Sequence, residues 1–161
     1  FTLVEFILYI AIFMIMLLGV SSFMIVTIEA RAKNQVIIEV EQQGIQIMQM
    51  ITQTIRNAED ITVPIVGASG SSLTIDVVEV DDEPTIFTLS STTLQMTEGV
   101  AAAIDLNNDR VEVNALTFQN VARTGHKDSI DIEFTVSHIN PESTNLYDYS
   151  RTFYGSADIR Y

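Results

Sequence analysis

FTLVEFILYIAIFMIMLLGVSSFMIVTI, residues 1–28, is the stretch on which the fold turns. Residues 6–28 contain no Asp, Glu, Lys or Arg. As a helix rising ~1.5 Å per residue, a run of about 23 residues spans the ~30 Å hydrocarbon core of a bilayer. A cleaved secretory signal would carry a basic flank and a shorter apolar core ending in small residues. This stretch has neither, so the run is expected to be retained. Two details set it apart from a plain anchor. The chain begins at Phe1 rather than Met, as expected of an end made by processing. One carboxylate, Glu5, stands at the apolar edge, and an acid in that position needs a partner.

The helical pattern continues beyond the run without a proline. Ile37, Val40, Ile45, Met48, Ile51, Ile55 and Ala58 recur at spacings near 3.6 and predict one buried stripe. Val36, Ile47 and Met50 lie partly off it, so the apolar surface is wider than one core contact needs. A helix continuous over residues 2–58 would be about 85 Å long, too long for a domain of the remaining size to cover. The expected shape is a lollipop. Gly19, Ser21 and Ser22 mark the weak point of the first half, because Gly costs ~1 kcal/mol relative to Ala and serines compete for backbone bonds. Gly44 is expected to permit close packing or a gentle bend.

After the helix the pattern turns to strands. Asn57-Ala58-Glu59-Asp60 and Pro64 are expected to end the helix, and residues 67–72 to form a flexible loop. Residues 73–80 and 85–90 read as a hairpin about the turn Asp81-Asp82-Glu83-Pro84. Residues 93–97 form a third short strand, and 101–106 are open between strand and turn. Residues 110–121 hold one or two strands. Ile130, Ile132, Phe134 and Val136 alternate with polar residues as a half-buried strand. Residues 146–159 form the last strand, with Tyr147, Tyr149 and Phe153 on one face. With no βαβ alternation, the fold class is α+β: a long N-terminal helix packed on an antiparallel sheet. Residues 1–28 form a transmembrane or filament-core half, 29–60 an amphipathic half docked on the domain, and 61–161 the β domain.

Composition narrows the function. Twenty-one acidic against 8 basic residues give a net charge of −13, which opposes nucleic-acid binding through a broad basic face. There is no cysteine, so neither disulfides nor thiolate metal sites form. Asp105-x-Asn107-x-Asp109 has the spacing that opens a calcium loop. It is followed by Arg110 instead of glycine, and Leu116 stands where a bidentate Glu is needed. A solvated turn is the expectation there, and no cofactor is expected. His126 and His138 bring no catalytic constellation, and the tyrosines read as sheet packing. An enzyme is not expected.

Phe1-Thr2-Leu3-Val4-Glu5 followed by the apolar run resembles the start of mature type IV pilins and the related pseudopilins. The resemblance implies cleavage before Phe1 by a membrane-embedded prepilin peptidase, N-methylation of the new amine, and a need for Glu5 in assembly. It implies a subunit held in the inner or cytoplasmic membrane, then built by the pilus machinery into an extracellular filament for attachment, motility or DNA uptake. In that filament Glu5 would pair with the Phe1 ammonium of a neighbour, while Phe6, Ile10, Phe13, Leu17, Val20 and Ile25 would pack the core. Glu5 also reads as half of a capping box with Thr2, and both roles can hold together. Many pilins carry a helix-breaking proline where this chain has Ser21-Ser22. The alternatives are a secretion pseudopilin and a single-pass anchored binding domain that never polymerises.

Overall fold

The computed structural model describes residues 2–77, 83–123 and 128–160. Phe1, the end of the strand expected at 73–80, the turn residues Asp81 and Asp82, His126 and Tyr161 lie outside the described residues. One α-helix, α1 (Leu3–Arg56), runs for 54 residues, or about 80 Å. Among the described residues nine strands follow: β1 (Ala58–Val63), β2 (Ser69–Gly70), β3 (Ser72–Val77), β4 (Thr85–Ser90), β5 (Thr93–Glu98), β6 (Ile104–Asp105), β7 (Val111–Asn120), β8 (Ser129–His138) and β9 (Ser150–Asp158). The class is α+β, as the order of periodicities predicts.

The strands form two antiparallel sheets rather than one. One has the order β1-β3-β4-β5-β6, the other β2-β7-β8-β9. The expected helix-to-loop transition at Ala58 is a strand instead. Asn57 caps the helix and β1 begins at the next residue, paired with β3. Register shifts between Ala58 and Asp60 and between Ile61 and Val63 break its two-residue period, so Ala58 and Ile61, three apart, are the buried pair. The loop expected at 67–72 contains β2, which pairs with Phe118 and Gln119 of β7. Residues 110–121 hold a single strand, irregular between Val113 and Ala115. The last strand starts at Ser150, and residues 140–149 are a loop built on Asn140, whose side-chain oxygen accepts from Thr144 N at 3.0 Å.

The buried row on α1 is Val36, Val40, Gly44, Ile47, Ile51 and Ile55, continuing to Ala58. This corrects the expected stripe at both edges. Val36 and Ile47 are inside it, whereas Ile45 is exposed and Ile37 and Met48 are only partly covered. The true row steps by four, four, three, four, four and three, the repeat of a 3.6-residue helix. It lies mainly on β9 and β8, above Ile130, Ile132, Phe134 and Val136. Covering an isoleucine such as Ile51 contributes about 1.5–3 kcal/mol. Leu73, Ile75, Phe87 and Leu94 extend the same core into the first sheet, tied to the second where Val113 N–H donates to Thr92 O at 2.9 Å.

Gly44 determines how closely the helix approaches. A Cβ there would overlap the Phe153 ring, which is stacked on Phe134 with centroids 5.4 Å apart. One turn on, the relation reverses: Gly155 on β9 makes room for the Met48 side chain. A glycine on each element therefore receives a large side chain from the other. Gly44→Ala is expected to lower stability by about 1–3 kcal/mol through overpacking, despite gaining ~1 kcal/mol of helix propensity. Denaturant unfolding of the full chain in detergent, with Phe153→Leu as partial rescue, checks this.

Candidate functional site

No residue over 2–35 is buried, and the apolar run stands clear of the domain. Its large side chains over residues 3–28 are between 40% and 77% exposed, including Phe6, Ile10, Phe13, Leu17, Val20 and Ile25. This segment is long and apolar enough to cross a membrane. The apolar surface goes all the way round, as in a helix compatible with a membrane span. The helix passes through Gly19, Ser21 and Ser22 without interruption, and nothing lies within 4 Å of a Cβ placed at Gly19. Leu, Ile, Met and Phe hold the helix on both sides of that point.

Glu5 is exposed in the first turn, where its carboxylate complements the helix dipole. Its backbone N–H donates to Thr2 Oγ1 at 3.4 Å. Thr2 is thus an N-cap with extended backbone, and one of the two bonds of the expected capping box is present. The cap occupies the amide of Glu5, leaving its carboxylate oxygens to face whatever surrounds the helix start. Phe1, its expected partner in a neighbouring copy, is outside the described residues.

Where the helix meets the domain, two carboxylates hold the junction. Glu39 accepts from Arg110 Nη1 at 3.1 Å, and its other oxygen is 3.6 Å from His138 Nε2. His138 Nδ1–H donates to Ile139 O at 2.9 Å, and the ring stacks on Tyr147. Glu41 is paired with Arg151 and accepts from the Tyr149 hydroxyl at 2.9 Å. The Arg151 guanidinium holds the Glu41 carboxyl below the usual carboxylate range, against the opposing effect of burial. Burial pushes the Tyr149 hydroxyl up, with the hydrogen bond to Glu41 adding to it. Glu41 in turn raises Arg151. The sequence held one signal for this clamp: Glu39 and Glu41 are the only charged residues between Lys33 and Arg56.

The Asp105-x-Asn107-x-Asp109 segment is a structural turn. Asn107 Oδ1 accepts from Leu94 N and its Nδ2 donates to Val111 O, both at 2.8 Å, while Asp105 accepts from Gln95 Nε2 at 2.8 Å. The oxygens a cation would need at positions 105 and 107 are thus used to join β5, β6 and β7. Among the described residues no group of three or more His, Asp or Glu is arranged to hold a metal. Tyr154 is not packed into the sheet as expected but stands exposed on its outer face, beside a shallow groove lined by Asp131 and Glu133.

The Glu41 pairing carries a definite pH sign. Its folded pKa is depressed, so the stabilisation is fully present above the ordinary Glu value of about 4.3 and is lost as the pH falls below it. Wild type is therefore expected to melt above Glu41→Gln at neutral pH, with the gap narrowing as the pH falls below the ordinary Glu value. Paired melting curves across that range measure it. Compared with known proteins, the chain matches no family model, no curated protein and no solved structure.

Proposed function

We propose that this chain is a type IV pilin-like structural subunit, which leaves the membrane to assemble with copies of itself through its N-terminal helix. The observation that carries the reading is a bare helical half, apolar on every side, with one carboxylate in its first turn. Lipid and a bundle of identical helices satisfy the apolar residues equally well. They treat Glu5 differently. A carboxylate near the hydrocarbon layer costs a few kcal/mol unless paired. In a bundle it gains a cation from the neighbouring copy, which under this reading is the amine at Phe1. An unpaired Glu5 in a dry helix bundle is penalised, so the pairing fixes the axial register between copies.

The domain supports the same reading. An acidic β domain at the far end of the helix would form the outer layer of such a filament and keep it soluble. The partners are other copies, the processing peptidase and the assembly machinery, with the membrane as the reservoir before assembly. A secretion pseudopilin would use the same construction. Glu5→Ala is expected to leave the domain folded and to reduce fibres on the cell surface at least tenfold, by electron microscopy of sheared material. Normal fibres from the variant would remove the pairing argument. Absence of fibres containing the wild-type chain would favour a single-pass anchored binding domain.

A further inference from the structure

A groove of about 490 Å³ lies at the end of the docked helical half farthest from the apolar run. It runs between the last two turns of α1 and the chain that follows β9. Gln49, Thr52, Gln53 and Arg56 line it from the helix, with Asn57 and Arg160 beyond them. Gln49, Gln53 and Arg56 follow one another at spacings of four and three, which places them on one helical face.

The charge of this groove is opposite to that of the molecule. None of its lining residues is acidic, on a chain of net charge −13. Of the 8 basic residues, Arg110 and Arg151 are held by Glu39 and Glu41, and two others, Arg56 and Arg160, line the groove. The helix dipole accounts for one cation in the last turn of α1, which is Arg56. It does not account for a second brought there from the end of β9. A concave surface lined by one sign of charge focuses the field and concentrates ions of the opposite sign. A guanidinium carries five N–H donors in a planar fork that matches a carboxylate, so donors remain for a ligand whatever else it touches.

The neutral part of the lining narrows the choice of anion. The side chains of Gln49, Thr52, Gln53 and Asn57 make no hydrogen bond to another described residue. Three amides and a hydroxyl each offer both donor and acceptor, which is what sugar hydroxyls need. A bare phosphate would leave most of them unused, and duplex nucleic acid needs a broader basic face. The volume falls within the ~300–1,000 Å³ of small-ligand sites. We infer that the groove binds an acidic saccharide of the uronic type. Its carboxylate lies on Arg56 and Arg160, its hydroxyls on the amides of Gln49, Gln53 and Asn57, and its C–H face on Met48, which also lines the groove. Arg56 lies about 40 Å along the helix from Ile28, well beyond the apolar run. The chemistry of the groove does not depend on assembly, so it stands or falls separately from the filament reading.

Ligand-observed saturation-transfer NMR tests this on the full chain, in a non-ionic detergent without a sugar headgroup, with digalacturonate as the probe. Saturable binding is expected, with affinity about tenfold lower in Arg56→Gln and in Arg160→Gln, each of which removes a charge-assisted contact. Gln53→Ala, at an exposed helical position, is expected to weaken binding several-fold. All three variants are expected to keep the wild-type melting temperature. Arg123→Gln, at an exposed position away from the groove, is expected to leave the affinity unchanged. Neutral galactobiose is expected to bind about tenfold more weakly than digalacturonate, for want of the carboxylate. No saturable binding, or an affinity indifferent to both arginine substitutions, overturns the inference. Displacement of the probe by inorganic phosphate at equal concentration reduces the groove to a general anion site and overturns the saccharide assignment. None of these outcomes bears on whether the chain forms fibres.

Discussion

One helix must meet two different demands, and the rest of the structure follows from that. Over residues 36–56 it is the only helix among the described residues, and it covers the apolar face of the sheet formed by β7, β8 and β9. Over residues 3–28 it has nothing of its own chain against it. An amphipathic row suits the first task and a fully apolar cylinder the second, and residues 29–35 separate them. Gly44 and Gly155 bring helix and strand close enough for Phe153 and Met48 to fill the interface. The fit sets both position and depth, because each glycine accepts one particular side chain from the other element.

Parts of this were legible in the residues and parts were not, for physical reasons. The apolar run, the α+β class and the alternation of Ile130 to Val136 follow from burial periods that nothing interrupts. β1 escaped because two register shifts hide its period and because it begins the residue after the helical cap. β2 escaped because two residues of Ser and Gly carry no pattern, and only the partner strand makes them a strand. The buried stripe departs from the expected one at both edges, because hydrophobicity alone cannot rank Ile45 against Gly44. Glycine is buried there for its lack of a side chain, and the isoleucine beside it is left outside.

The candidate site divides in the same way. The bare apolar half and the isolation of Glu5 are sequence properties, and folding leaves both in place. The clamp of Glu39 and Glu41 is a property of the fold, since Arg110 and Arg151 are 71 and 110 residues away in the chain. The apparent calcium spacing at Asp105, Asn107 and Asp109 shows the converse. Side chains with the composition of a ligand set serve to join three strands, and only the backbone partners reveal it.

β9 runs alongside the helix in the same direction. Arg151, Phe153 and Gly155 meet Glu41, Gly44 and Met48 in that order. A pull applied along the helix axis is therefore shared by these contacts at the same time, as shear, instead of peeling them apart one after another. The ion pairs of Glu39 and Glu41 sit at the end of the joint nearest the bare half, where load enters first. The glycine-seated rings and thioether behind them resist sliding by shape. As a mechanical joint, the docked half of the helix grips most firmly along the direction in which the exposed half would be drawn.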